Sequence, residues 1–180
     1  MGQPRPDILT QSGIYFNFHQ PEPWMVKIED IAHGLSHVCR FAGQCRKFYS
    51  VAEHSVYVSL VLPPHLQLYR LLHDASEAYV GDVTAPLKRL LMNYKPIEDR
   101  AQRAILDRFG LLDIPRPEVK EADLRMLATE QLQLMPAHDD EWALIAGIKP
   151  YNKTIECMPP EQARGFFMRR FEELTNGAFS

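Results

Sequence analysis

Apolar residues recur three or four positions apart in one segment after another from residue 28 to residue 174. That spacing places them on one face of an amphipathic helix. It predicts helices over residues 28–38, 50–62, 65–79, 86–92, 97–109, 118–134 and 161–174. Pro63-Pro64, Gly110 and Pro115 stand at breaks between helices, as residues that end helices do. Because hardly a strand pattern lies between the segments, the sequence predicts an all-α fold, a helical bundle.

No linker divides the helical segments, and 180 residues are an ordinary size for one domain. We therefore predict a single domain over residues 1–180. Residues 1–13 are polar and rich in proline, which predicts a flexible start. Residues 14–18 alternate in a strand-like way before prolines interrupt the pattern, which indicates a short hairpin or an irregular arm.

Charge and cysteine content limit the class of protein. The net charge is −3, so no overall basic excess points to a nucleic-acid polymer as partner. The three cysteines are odd in number and lack motif spacing, which argues against a disulfide framework or a cysteine zinc site. The first residues lack the apolar run of a signal peptide, and no stretch reaches the length of a membrane span. We therefore expect a cytoplasmic protein with reduced thiols and no membrane partner.

Three polar residues interrupt the apolar pattern of the helix predicted over residues 65–79. They are His73, Asp74 and Glu77, and in a continuous helix His73 and Glu77 would share one face. Burying an unpaired carboxylate beside aliphatic side chains is costly, and a bound cation offsets that cost. The alternative is that His73 and Asp74 form a surface pair at the rim of the helix.

Two further candidate ligands lie on other helices. His54 is framed by valines, so it is either a core histidine or a ligand. Its helix opens with Ser50 and Glu53, the spacing of a capping box. Asp123 lies much later in the chain, where it could instead pair with Lys120 on the helix surface. The residue types alone leave these alternatives open.

The order of these residues, a His, then His-Asp, then a distant Asp, resembles the HD-domain phosphohydrolase superfamily. The match consists of His54, His73, Asp74 and Asp123, and residues 73–82 resemble the HDxSE…GD motif of its small nucleotide-hydrolysing branch. That branch contains the bacterial 5′-deoxynucleotidases and the phage-type dATP triphosphohydrolases. The resemblance covers most of the chain and implies an HD-type helical bundle in which the four matching residues hold a divalent metal. It also implies a homo-oligomer, a dimer or a hexamer, in the cytoplasm, or in the host cytoplasm if the protein is phage-encoded.

The implied ligand set contains two imidazoles and two carboxylates, which suits Zn²⁺, Mn²⁺ or Co²⁺ better than Mg²⁺ alone. The resemblance implies that Glu77 is the general acid or base and that Asp82 orients water or binds the sugar hydroxyl. Asp82 could instead cap the helix that begins near Thr84. His33 and His37, four positions apart, lack a third ligand and are expected at a pocket wall or an interface.

The resemblance further implies which residues contact the substrate. Arg40 resembles the phosphate-binding Arg of the deoxynucleotidases, and Phe41 stands where those proteins have a Trp against the deoxyribose or base. Gly43 leaves room beside the base. Pro86 and Lys88 resemble a pattern of the dATP triphosphohydrolases in which the Pro packs near the base and the Lys meets phosphate.

The implied activity is hydrolysis of a deoxynucleotide, and two chemistries compete. Arg40 and Lys88, with the nearby Arg46 and Lys47, supply several cations. These favour a triphosphohydrolase that releases triphosphate from dATP, and the alternative is a 5′-deoxynucleotidase that acts on monophosphates. Two hypotheses rank lower. A non-catalytic nucleotide-binding HD module would have lost a ligand or the glutamate, and a cyclic-nucleotide or ppGpp phosphodiesterase would carry additional His clusters.

Overall fold

The computed structural model describes residues 5–111, 117–138, 142 and 145–176. Eight α-helices lie in these ranges, and the predicted all-α class is confirmed. They are α1 Ile28–His37, α2 Val51–Leu60, α3 Pro64–Leu71, α4 Glu77–Val80, α5 Ala85–Lys88, α6 Tyr94–Arg108, α7 Pro117–Leu134 and α8 Pro160–Thr175. The described elements also include strands β1 Asp7–Leu9 and β2 Tyr15–Asn17 and the 3-10 helices Pro23–Met25 and Arg40–Gly43. None of the described helices is long and apolar enough to cross a membrane.

β1 and β2 pair in antiparallel fashion and form a hairpin that packs on the helices. Phe16 in β2 is buried, and its ring stacks on that of Tyr79 with 3.9 Å between the centroids. Between the strands, the backbone N–H and the hydroxyl of Ser12 donate to the carboxylate of Asp30 at 2.8 and 2.6 Å. The hairpin is thus tied to α1 and α4. β1 lies within the segment predicted to be flexible, of which residues 1–4 are outside the described residues.

α2 lies at the centre of the helices and carries His54. Residues 51–59 are all buried, and α1, α3, α7 and α8 pack around them. One apolar cluster joins α2 to α1 and α8, and a second joins it to α3 and α7. Because the whole circumference of α2 is buried, each of its polar side chains needs a partner inside the protein.

The start of α2 confirms the Ser50 half of the predicted capping box. Ser50 Oγ accepts the backbone N–H of Glu53 at 3.2 Å. In a complete capping box, the Glu53 carboxylate would return to the N–H of Ser50. It accepts instead the N–H groups of Cys157 and Met158, at 3.0 and 2.9 Å. This buried carboxylate therefore anchors the segment that leads into α8.

The prediction of a single helix over residues 65–79 is wrong. α3 and α4 are separate helices, and the His-Asp pair lies in the turn between them. The side chain of Gln102 in α6 bonds to the backbone at this break. Its Nε2 donates to the carbonyl of Leu72 at 2.7 Å, and its Oε1 accepts the N–H of Ser76 at 3.1 Å. The predicted shared helical face of His73 and Glu77 is lost with the break.

α4 approaches α1 at very short range. A Cβ built on Gly34 would lie 2.8 Å from both the Cβ and the carbonyl oxygen of Ala78. Only a residue without a side chain fits there, so the glycine allows the two backbones to meet. The contact fixes the position of α4, which begins at Glu77.

The remaining helices differ from prediction at their ends. α5 stops at Lys88 rather than residue 92, and α6 begins at Tyr94 rather than residue 97. Pro96 falls in the first turn of α6, where its missing N–H costs no helical hydrogen bond. Thr84 occupies the N-cap position of α5, although its side chain makes no capping hydrogen bond.

Candidate metal centre

Three of the four predicted metal ligands come together. One ligand atom each of His54, Asp74 and Asp123 lies within 4.8 Å of the other two. His54 Nε2 is 3.1 Å from Asp123 Oδ1 and 3.5 Å from Asp74 Oδ2. His54 lies in α2, Asp123 lies in α7, and Asp74 lies in the turn after α3, so helix packing assembles the cluster.

His73 is exposed, with its ring 5.7 Å from that of Tyr69, and it is not a member of the cluster. Its role as a fourth ligand stays a prediction.

Glu130 fixes the orientation of the His54 ring. His54 Nδ1 is 2.5 Å from Glu130 Oε1, so the opposite nitrogen, Nε2, faces the two aspartates. Glu130 is fully buried and also accepts from the Tyr49 hydroxyl and from Arg40 Nη2, each at 2.9 Å. A metal-binding histidine usually donates a hydrogen bond from its other ring nitrogen to a carboxylate, a backbone carbonyl or water, and this bond fixes the orientation of the ring.

Glu130 was not among the residues predicted from the sequence, because a carboxylate on a helix is usually solvated. The spacing of Glu130 from Asp123 nevertheless indicates that the two residues share a helical face. Glu130 follows Asp123 by seven positions on α7, which is about two helical turns. Both side chains therefore leave α7 on the face that packs against α2.

The charges around the cluster keep both aspartates ionised. Burial alone would raise the pKa of Asp74 and of Asp123, but Arg70 and His54 outweigh it and hold both pKa values below the ordinary range. Arg70 Nη2, 2.5 Å from His54 Nε2, can donate to that nitrogen only when the nitrogen carries no proton, and this neutral form of the ring is the one that binds a metal.

Arg70, which sequence analysis also missed, lies inside the cluster. Its side chain is fully buried, with Nη1 2.9 Å from Asp74 Oδ2 and Nη2 2.7 Å from Asp123 Oδ1. Nη2 is also 2.5 Å from His54 Nε2. In the sequence, Arg70 reads as an ordinary cation near the end of an amphipathic helix, so its type gives no signal of this position.

Glu77 stands at the start of α4 beside the cluster and is buried. Its Oε1 is 3.7 Å from Lys88 Nζ, and its Oε2 has no hydrogen-bond partner among the described residues. Burial and the nearby Asp74 and Asp82 raise the pKa of Glu77 well above its usual range. Burial thus favours the protonated form of Glu77. Lys88 itself bonds to Glu98 Oε1 at 2.6 Å, a partner that the sequence did not reveal.

The predicted substrate residues Arg40, Phe41 and Gly43 lie together in the 3-10 segment. The Arg40 guanidinium bonds to Glu130 and lies over the Phe41 ring, 5.3 Å from its centroid. Phe41 and Ala42 have φ angles of 56° and 51°, a left-handed conformation that costs of order 1–3 kcal/mol per residue. Gly43, with φ 77°, continues this turn beside open space. Backbone strain of this kind is concentrated at functional sites.

The other predicted residues lie at the edges of the site. Asp82 follows α4, half-buried, near enough to Glu77 and Lys88 to raise the pKa of both. Pro86 is exposed in α5, and its contact with a base stays a prediction. The rings of His33 and His37 are 4.3 Å apart, outside the metal cluster.

No family model matches the chain, so its membership of the HD-domain superfamily stays a prediction. The chain is 41% identical over 170 residues to the uncharacterized protein YfdR of Escherichia coli, a match that covers 93% of this chain and 95% of YfdR. It is 34% identical over 182 residues to the uncharacterized protein RCAP_rcc00048 of Rhodobacter capsulatus, covering 91% of this chain and 92% of that protein. The chain therefore belongs to the protein family that includes YfdR and RCAP_rcc00048.

Proposed function

We propose that this protein is a metal-dependent phosphohydrolase of deoxynucleotides. The observation that carries the proposal is the cluster of His54, Asp74 and Asp123, which offers one nitrogen and two carboxylate oxygens within 4.8 Å. That donor set fits Zn²⁺, Mn²⁺ or Co²⁺, and both carboxylates are ionised as ligands must be. When bound, such a metal activates water and polarises a phosphoryl oxygen. His73 remains the proposed fourth ligand.

Glu77 supplies the proton for the reaction. Burial and the nearby Asp74 and Asp82 raise its pKa, and its Oε2 is buried without a hydrogen-bond partner among the described residues. A carboxyl with a raised pKa beside the cluster suits a general acid that protonates the leaving oxygen. We assign to Asp82, whose charge acts on Glu77, the role of orienting water or a sugar hydroxyl.

Arg40 is the proposed phosphate ligand. One of its guanidinium nitrogens bonds to Glu130, while its Nε has no hydrogen-bond partner among the described residues. A planar guanidinium that is fixed in this way presents its remaining donors in a constant direction. Phe41 and Gly43 would border the sugar or the base.

The number of available cations bears on the choice between the two substrate classes. A triphosphohydrolase acting on dATP is the sequence-based expectation, with Lys88 meeting phosphate. Lys88 Nζ, however, bonds to Glu98 at 2.6 Å, and Arg46 donates to the carbonyl of Gln133 at 2.9 Å. Fewer uncommitted cations favour the second candidate, a 5′-deoxynucleotidase, because a monophosphate carries less charge to neutralise.

Product analysis with the metal-stripped protein tests the proposal. Each dNTP and each dNMP is incubated with Mn²⁺, Co²⁺ or Zn²⁺ restored in turn. Release of triphosphate supports the first candidate, and release of orthophosphate from a dNMP supports the second. Binding of a nucleotide without turnover would leave only the non-catalytic module, and no turnover with any metal contradicts both enzymes.

Asp74→Asn provides the matching variant. It removes one carboxylate charge from the cluster, so we expect both metal binding and hydrolysis to fall by at least about 100-fold. The control is Asp99→Asn, since Asp99 is an exposed residue of α6 that pairs with Lys95 at 2.7 Å, away from the cluster. Full hydrolysis by Asp74→Asn would show that the metal is held elsewhere.

A further inference from the structure

The guanidinium of Arg70 lies where the three metal-binding side chains meet. It is within 2.9 Å of Asp74 Oδ2, 2.7 Å of Asp123 Oδ1 and 2.5 Å of His54 Nε2. These are the donor atoms that a divalent ion in the cluster would use. A first-row metal takes its ligand atoms at about 2.0–2.2 Å, so the ion and the guanidinium cannot both contact all three atoms.

Burial explains why a positive charge is needed at this point. Asp74 and Asp123 are two ionised carboxylates that both face His54 Nε2, and like charges this close repel each other. The Arg70 side chain has no exposed surface, so its charge is compensated inside the protein by these aspartates. The guanidinium thus neutralises the cluster as a metal would.

We propose that Arg70 is an internal cation that holds the three ligands in place and competes with the divalent metal for them. The proposal rests on the metal site of the proposed function. Metal binding moves the guanidinium away from the ligands, and Arg70 keeps its proton and its charge throughout. Competition of this kind lowers metal affinity and preserves the arrangement of the ligands when no metal is bound.

Removing the competing cation tests the idea. Arg70→Met retains much of the side-chain volume without the charge. Each hydrogen bond between charged groups is worth about 1.5 kcal/mol or more, which corresponds to about a tenfold change in affinity. We expect the variant to bind Mn²⁺ at least about tenfold more tightly than the wild type in calorimetric titration, with a larger Mn²⁺-induced rise in Tm.

Arg170→Met is the matched control. Arg170 in α8 is also largely buried, and it donates to Ser59 Oγ at 3.1 Å and to Gln67 Oε1 at 2.6 Å. The control therefore loses a hydrogen-bonded arginine outside the cluster, and its Mn²⁺ affinity should equal that of the wild type. Equal or weaker Mn²⁺ binding by Arg70→Met would overturn the proposal.

A measurement on the wild type covers the case in which Arg70→Met does not fold. Arginine side-chain NMR signals, assigned with Arg70→Lys, are followed as Zn²⁺ is added. Displacement predicts a shift of the Arg70 Nε–H signal that saturates with the metal. Zn²⁺ bound by the wild type without such a shift contradicts displacement.

The outcomes separate this proposal from the proposed function. Tighter Mn²⁺ binding by Arg70→Met without hydrolysis of any deoxynucleotide would support the role of Arg70 and contradict the enzyme. Hydrolysis of a deoxynucleotide by the wild type, together with unchanged Mn²⁺ affinity in Arg70→Met, would support the enzyme and contradict the role of Arg70. If neither the wild type nor Arg70→Met binds a divalent ion, both proposals fail.

Discussion

At the scale of single residues, the cluster depends on side chains that are not ligands themselves. Glu130 sets which nitrogen of His54 faces Asp74 and Asp123, and it also pairs with Arg40. One buried carboxylate therefore connects the proposed metal ligand to the proposed phosphate ligand. A change at Glu130 should disturb both.

Glu130→Gln is expected to weaken metal binding by about 10–100-fold, because it removes the charge that supports the His54 ring. It should also lower the free energy of unfolding by about 3–5 kcal/mol, since Arg40 loses its buried partner. Calorimetric titration with Mn²⁺ and urea denaturation measure the two effects. Glu118→Gln, an exposed change on the same helix, serves as the control. Unaltered Mn²⁺ affinity in Glu130→Gln would show that the ring orientation does not depend on this carboxylate.

Residue type and order were enough to find His54, Asp74 and Asp123, which do come together. They were not enough to find Arg70 and Glu130. A charged residue on an amphipathic helix is usually solvated, and only the packing of α7 and α3 around α2 shows that these two are buried. Such packing joins residues far apart in sequence, and local patterns contain no information about it.

At the scale of elements, helical periodicity predicted the long helices well and the short ones poorly. The bounds of α1, α7 and α8 agree with prediction within one residue at each end. The division between α3 and α4 was not predictable, because apolar spacing continues across it. Tertiary contacts determine where α4 lies, and one of them is the close approach of Gly34 to Ala78.

Gly34→Ala should destabilise the protein by about 1–3 kcal/mol, since the new methyl group would overlap Ala78 and force α4 away from α1. Gly165→Ala in α8 is the matched control. Its Cβ would meet only the end of the Arg169 side chain, at 3.4 Å, and alanine favours a helix by about 1 kcal/mol over glycine. Urea denaturation should therefore show opposite signs for the two variants. Equal stability of Gly34→Ala and the wild type would mean that the helices can separate without cost.

At the scale of the whole molecule, buried charge makes stability depend on pH. Glu77 has a raised pKa in the folded protein, whereas in the unfolded chain its pKa is about 4.3. Above that pH the unfolded chain binds fewer protons than the folded protein does. Glu77 therefore lowers the free energy of unfolding as the pH rises toward its folded pKa.

Glu77→Gln removes this penalty, because glutamine carries no charge at any pH. For the metal-free protein, we expect the stability of the variant relative to the wild type to increase as the pH rises from about 5 toward the folded pKa of Glu77. The slope has an upper limit of about 1.4 kcal/mol per pH unit, the value for one proton. Urea denaturation at several pH values measures it, with Glu161→Gln, an exposed change on α8, as the baseline. A difference that stays constant with pH would mean that Glu77 is ionised in the folded protein.

The hydrogen bonds of Gln102 have a consequence for how the site is encoded. They lie at the break between α3 and α4, and Gln102 is 30 residues from Leu72. A peptide that contained only α3 and α4 would lack Gln102, and its apolar spacing favours one continuous helix. The turn that carries Asp74 is therefore held in part by a distant segment of the chain, α6. The arrangement of the binding site therefore depends on the docking of α6 and is not a property of the motif alone.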